Sequence, residues 1–583
     1  MLLLVAAGGI LFFAGLGRLP LLEPDEGRNA EVAREMLASG DLLTPHFNSL
    51  VYLDKPVVYF WMVAASFGLA GENEWAARLP SALMALATML PAWFLARRLF
   101  GDAAGVRAGL IFATAPLVIA YSRLVIFDMT LAFLVTVAMV SYWQARISDF
   151  KRPILDLLFF TAMGLATITK GPVGFLLPLL SILAFQGFVG KFTEVKRLRW
   201  GMGLVVFLAC VLPWFVALSL RYPDFPRYAL WQESLQRFAT GSTRRGGSFL
   251  YYVPIYLAGF LPWSFFLLYA GASRWRQWRR LREESHRPMA FLVAWSVVVF
   301  IFFSISQSKL PGYFLPAIVP LSILTAKVWA EIEDAAPERP AWLRAGFLTM
   351  IALGIMVAVS PQAFRLQAIE VAATEKISPA VLALIKPALF FSGLILIALG
   401  ILGRDLAARW AGQKLALVSL GVLALTMPLL GIRWSRTLAA YANASSSRRL
   451  AQVILQGPEK DLPIYGFFCF RPSLPFYLRH PVGLVTTDAS ELTSNYVSSN
   501  LPRLRREAAL ASAQSGTAPV LMDAADFRFR ALHGTQPMLV MVRNRDVRKL
   551  SQLAPEMEPL WNDWEYSVWR IPAGKREEVG SRK

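Results

Sequence analysis

Apolar runs of roughly span length recur along this chain, separated by short polar loops. A helix needs about 20 apolar residues to cross a bilayer. That rule places spans near residues 1–19, 78–96, 104–122, 129–146, 154–169, 171–189, 201–220, 251–270, 289–306, 313–330, 343–360, 383–402 and 414–432. The segment 56–70 (PVVYFWMVAASFGLA) is apolar but short, and reads as an amphipathic or re-entrant helix at the interface. Beyond residue 432 the pattern changes. Short β-rich pieces (IYGFFCF, VGLVTT, PVLMDA, MLVMVRN, YSVWRIP) alternate with polar helical ones such as SSSRRLAQVILQ and NLPRLRREAALASAQ. Such alternation predicts a small α/β domain. The expected architecture is a mostly α, polytopic membrane protein with about 13 transmembrane helices. It divides into a membrane domain over 1–432, with outer juxtamembrane helices around 24–75, and a soluble α/β domain over 433–583.

Composition agrees with a membrane protein. Of 583 residues, 56% are hydrophobic and only 17% charged, where an ordinary soluble protein carries about 25% charged residues. The net charge of +20 does not point to nucleic acid, because the basic residues fall in short loops between the apolar runs. Arg97, Arg98, Arg146, Lys151, Arg152, Lys191, Lys196, Arg197, Arg199, the run from Arg274 to Arg287, Arg339, Arg344, Arg404 and Arg409 all share one side. The positive-inside rule makes that side cytoplasmic, and an odd number of spans then puts 433–583 outside. The opening run MLLLVAAGGILFFAGLG has no Lys or Arg before Arg18, so it reads as a retained helix rather than a signal peptide. Cys210 and Cys469 are far apart and give no disulfide framework or cysteine metal site.

On this topology several charged residues border one external surface. Asp25, Glu26 and Arg28 follow the first span; Tyr52, Asp54 and Lys55 lie in the same outer stretch. Arg123 and Asp128 sit between the third and fourth spans, and Lys170 between the fifth and sixth. The outer loop 221–250 carries Glu233, Arg237, Arg244 and Arg245, and a later loop carries Lys309 and Tyr313. Carboxylates in a greasy protein are costly and suggest function. A carboxylate can orient or deprotonate an acceptor, and Lys and Arg can hold a phosphate leaving group. Together they fit transfer from a phosphorylated membrane lipid. Plainer roles stay open: Asp25 and Asp128 as helix N-caps, Glu26 as an acidic first-turn residue, and Lys55 and Lys309 as snorkelling anchors. A transporter would place its charges nearer the midplane on repeated, broken helices, and no repeat is visible. A receptor would not need these charges in the membrane part.

The stretch PDEGRNAEVAREMLASGDLLTPHFNSLVYLDKPVVYFW resembles the N-terminal signature of the ArnT-like aminoarabinose transferases, relatives of the protein O-mannosyltransferases with a GT-C membrane glycosyltransferase fold. Further matches are Ser122-Arg123…Asp128, Thr169-Lys170-Gly171-Pro172, Gln236-Arg237-Phe238, Ser308-Lys309-Leu310-Pro311-Gly312-Tyr313 and Arg471-Pro472-Ser473-Leu474-Pro475-Phe476-Tyr477. The resemblance implies transfer of a sugar from a polyprenyl phosphate to lipid A, or to another cell-envelope acceptor, on the periplasmic side of the bacterial inner membrane. A monomer that binds no nucleic acid is expected. The resemblance makes Asp25, Asp54 and Asp128 the catalytic candidates. It makes Glu26, Arg28, Tyr52, Lys55, Arg123, Lys170, Arg237, Lys309 and Tyr313 the substrate- and phosphate-binding ones. Three departures stand out. Asp54-Lys55 replaces the family's Glu-Lys, Asn29 replaces a Tyr, and Ser234-Leu235 stand where a histidine often precedes Gln-Arg-Phe. No cofactor is required, and these departures argue against the divalent metal that members of the family can bind.

Overall fold

The structure, a computed structural model, describes residues 1–240, 247–334, 340–363, 377–515 and 519–573. Arg244, Arg245 and Arg339, named above from sequence, lie outside the described residues. The described chain forms two compact units: residues 1–16, 55–59 and 78–438, and residues 17–54, 60–77 and 439–583.

The first unit is helical, and each of the thirteen expected segments contains helix. Nine helices among the described residues are long and apolar enough to cross a membrane, or ten if Phe249–Gly259 and Trp263–Arg274, bent by 112°, count as one span. That bend falls where Pro262, which has no N–H to donate, interrupts the helix. The other three differ from expectation in length or continuity. Leu2–Phe13 and Val173–Val189 are short. The segment expected at 104–122 is two helices, Asp102–Ala113 and Pro116–Tyr121, with Pro116 at the start of the second.

Burial separates central from peripheral helices. The span Pro311–Glu333 is 89% buried against its neighbours, whereas Trp200–Arg221 is 17% buried and presents Leu204, Val205, Val216 and Leu220 outward. A helix apolar all round and little covered by protein faces lipid. Charged residues near the helix ends are paired, as in Arg146 with Glu194 at 2.7 Å and Arg199 with buried Asp156 at 2.8 Å.

The second unit gathers pieces from both ends of the chain. Its sheet has the order β5-β4-β3-β6-β8-β7, with β3 Ile464–Phe467, β4 Gly483–Val485, β5 Leu521–Met522, β6 Met538–Arg543, β7 Glu558–Asn562 and β8 Tyr566–Ile571. The first four strands run parallel, and β8 and β7 add antiparallel. The five β-rich pieces read from sequence are β3, β4, β5, β6 and β8. Strand β7, at the sheet edge and largely exposed, has too little apolar alternation to be seen that way.

Residues 17–54 and 60–77 group in this unit, a grouping different from the sequence division at 432/433. That division also falls inside one continuous helix, Gly412–Ser445. The helix Asp25–Ser39 lies against Leu474–Leu478, so closely that a Cβ on Gly27 would come within 2.5 Å of the Ser473 backbone. Glu23 accepts from the Ser473 amide at 3.0 Å, the Ser473 hydroxyl and the Ser447 hydroxyl at 2.9 Å. Burial raises its pKa above the usual carboxylate value, against the opposing pull of Arg471 and these donors. Asn48 exchanges two hydrogen bonds with the Val482 backbone, at 2.8 and 2.7 Å. The helix Val58–Ala70, read as amphipathic or re-entrant, is apolar on every side, which does not fit the amphipathic alternative.

Candidate functional site

In the second unit, Asp25 opens the helix Asp25–Ser39, and Arg28 lies one turn on. This i,i+3 spacing brings the pair together, and Arg28 Nη2 donates to Asp25 Oδ1. The Arg28 side chain is buried, while 34% of the Asp25 side chain stays exposed. Arg28 Nη1 donates to Thr493 Oγ1 at 2.5 Å, and the guanidinium sits 5.8 Å from the Tyr52 ring centroid. Burial works against its charge, but Tyr52, Asp25 and Asp54 outweigh that and raise its pKa. Asp25 is therefore a carboxylate held by a fixed cation and one-third exposed.

Other candidates in this unit have structural duties. Glu26, buried, accepts from the Leu22 amide at 3.0 Å. Tyr52 packs edge-on to Phe47 and Phe60 in the interior. Asp54 is 5% exposed, and its two oxygens accept from the backbone amides of Asn495 and Tyr496 at 3.0 and 2.9 Å. Those amides open the short helix Asn495–Ser499, so Asp54 caps it from a distant part of the chain. Sequence put Asp54 among the catalytic carboxylates; its hydrogen bonds make it a poor general base.

In the first unit, Lys55 pairs with Glu233, and Glu233 also pairs with Arg237 four residues on. These side chains are 12–18% exposed. They continue to Ser308 Oγ, 3.4 Å from Arg237 Nε. Glu233 lies in the π-helical stretch Tyr228–Gln236, a form frequent at functional sites. One carboxylate thus bridges two cations, a grouping that holds a lysine and an arginine side by side. The sequence reading named Glu233 without giving it a role; its i,i+4 spacing to Arg237 was the signal that could have done so.

Asp128 and Lys170 form a buried ion pair. Asp128 starts the helix Asp128–Ile147, and Lys170 ends Pro153–Lys170. The ammonium of Lys170 lies 4.2 Å from the Tyr313 ring centroid. A Cβ on Gly312 would meet the Tyr121 ring at 2.3 Å and Asp128 at 2.9 Å, so that approach needs glycine. Asp128 is thus positioned beside Tyr313 but neutralised by Lys170, a geometry for orienting rather than abstracting a proton.

Lys309 and Arg123 bind backbone. Lys309 Nζ donates to the carbonyls of Ser304 at 2.9 Å and of Ser306, satisfying the end of the helix Arg287–Ile305. Desolvation lowers its pKa. Arg123 donates to the carbonyls of Leu11 and Ala14 at 2.6 and 2.9 Å, closing the end of Leu2–Phe13. Among the described residues, no group of three His, Cys, Asp or Glu converges to hold a metal.

A protein-family profile described as dolichyl-phosphate-mannose-protein mannosyltransferase matches residues 54–216. Two similar curated proteins are both named undecaprenyl phosphate-alpha-4-amino-4-deoxy-L-arabinose arabinosyl transferase. The one from Pseudomonas paraeruginosa is 33% identical over 327 residues, which is 55% of this chain and 58% of that protein. The one from Edwardsiella ictaluri is 35% identical over 320 residues, 53% of this chain and 55% of that protein. The chain therefore matches little more than half the length of these relatives. A crystal structure of ArnT from Cupriavidus metallidurans bound to undecaprenyl phosphate superposes with a TM-score of 0.80 at 28% identity, covering 99% of both chains. The apo form of that protein gives the same TM-score at 27% identity. These likenesses bear out the ArnT-like resemblance, and the fold is that of a mostly helical, multi-span membrane protein with a small C-terminal sheet.

Proposed function

We propose that this protein is an integral membrane glycosyltransferase. It moves a sugar, 4-amino-4-deoxy-L-arabinose in the favoured reading, from undecaprenyl phosphate to a lipid A phosphate on the periplasmic side of the inner membrane. The observation that carries the reading is the likeness, over 99% of the chain, to ArnT bound to undecaprenyl phosphate. The Lys55–Glu233–Arg237 trio adds chemical support.

The reaction is a single inverting displacement at the anomeric carbon. The bond from that carbon to the polyprenyl phosphate oxygen breaks as the acceptor oxygen bonds from the opposite face. Lys55 and Arg237 stabilise the charge that returns to the departing phosphate. Asp25, held by Arg28, orients the acceptor. A phosphate acceptor needs little base catalysis; a hydroxyl acceptor would make Asp25 a general base. A second reading, another polyprenyl-linked sugar passed to a protein hydroxyl or a glycan, draws on the mannosyltransferase profile over 54–216.

Expression in a strain lacking its own aminoarabinose transferase tests the proposal. Lipid A should gain a pentosamine-sized mass and the strain should gain polymyxin resistance. Neither gain, with the protein verified in the membrane, would overturn the lipid A reading.

A further inference from the structure

In the second unit's sheet the order of strands reverses at β3: β4 and β5 extend to one side of it and β6 lies on the other. That strand is flanked by β4 on one side and β6 on the other, all parallel. In open α/β sheets, ligand-handling loops gather at the carboxyl ends of the strands near such a point. The loop after β4, residues 486–494, lies at that end and is heavily braced. Thr486 Oγ1 donates to Glu491 at 2.7 Å and accepts from the Ala489 amide at 2.8 Å. Asp488 accepts from the Ser490 amide at 2.9 Å, and Arg505 binds the Thr486 carbonyl at 2.8 Å. The loop turns through two non-glycine residues at positive φ, Ala489 at 56° and Thr493 at 54°. A threonine is rare in that region and persists there when its surroundings over-determine it.

Thr493 is where this loop meets Arg28. Its hydroxyl accepts from Nη1 at 2.5 Å, its carbonyl lies 3.4 Å from the same atom, and Nη2 of the same guanidinium holds Asp25. Two residues later, the amides of Asn495 and Tyr496 are fixed by Asp54. We propose that Thr493 is a positioning residue for the transfer: the loop 486–494, pinned by Asp54, sets the Arg28 guanidinium, which sets the Asp25 carboxylate. The C-terminal part of this unit then holds the first-loop carboxylate in place. This rests on Asp25 orienting the acceptor, as proposed above.

The test uses the full-length protein with Thr493→Val, which keeps the branched shape but cannot accept the hydrogen bond, and Thr493→Ser, which keeps the hydroxyl. Thr493→Val should lower kcat about tenfold with little change in KM for the polyprenyl donor, and Thr493→Ser should restore it to within about twofold. Independently of turnover, labelling of Arg28 by phenylglyoxal, read by peptide mass spectrometry, should be slow in the wild type and Thr493→Ser and several-fold faster in Thr493→Val. Unchanged kcat, unchanged labelling in Thr493→Val, or no rescue by serine would overturn the proposal. A wild type without transferase activity that still shows the labelling contrast would sink the functional reading and uphold the link from Thr493 through Arg28 to Asp25.

Discussion

Asp25 and Asp54 belong to the same N-terminal stretch and look alike in the sequence, but their surroundings oppose each other. Asp25 is one-third exposed and braced through a buried arginine. Asp54 is 5% exposed and gives both oxygens to backbone amides that start a helix. The first keeps a face for chemistry; the second joins two distant parts of the chain. A motif therefore marks where a site and its supports are built, without separating one from the other.

The sharpest way to break this comparison is to neutralise each carboxylate. Asp25→Asn keeps shape and removes charge. It should cut transfer by about a hundredfold or more while leaving thermal unfolding within a degree or two of the wild type. Steady-state kinetics and a melting curve on one preparation check both. Asp54→Ala leaves two buried amides without their acceptor, so it should cost about 1–3 kcal/mol of stability. Its rate should fall less than tenfold, as the loop bearing Thr493 loosens. Equal rate losses from the two variants would erase the distinction.

A smaller effect concerns Glu35, one turn on from Glu31 and next to Arg34, which pair with each other at 2.7 Å. Burial and the charge of Glu31 raise its pKa well above 4.5, against the Ser49 amide and Arg34. A carboxyl with a raised folded-state pKa binds more protons folded than unfolded. Its contribution to stability is present at low pH and is lost as pH rises from about 4.5 through the raised value. Glu35→Gln should flatten that decline, seen as a smaller fall in Tm between pH 5 and 8. An unchanged pH profile would show that Glu35 is solvated in the folded protein.

Much of the fold was legible because a membrane imposes a length rule. Apolar runs located all thirteen helical segments, but could not foresee that Pro116 and Pro262 would break two of them. The α/β pieces after residue 440 were readable from alternation, except edge strand β7, whose exposed residues carry none. The grouping of 17–54 and 60–77 with the C-terminal residues was not legible. It rests on long-range bonds such as Asn48 to Val482 and Glu23 to Ser473. Among the candidate residues, motif spacing named Asp25, Lys55, Arg237, Asp128 and Lys170, all of which the structure places in ion pairs. It also picked up Arg123 and Lys309, which serve helix ends, and did not point to Thr493, whose contact with Arg28 depends on a left-handed turn no local pattern announces.

The central claim is sugar transfer from a polyprenyl phosphate, and one reaction tests it most directly. Purified full-length protein in detergent is given undecaprenyl-phosphate aminoarabinose and lipid A, and both lipids are followed by mass spectrometry in the same tube. The account predicts that undecaprenyl phosphate and aminoarabinose-bearing lipid A appear in equal amounts, and that Asp25→Asn yields neither. A folded wild-type protein that leaves the donor intact, with this acceptor and with hydroxyl acceptors alike, would contradict it.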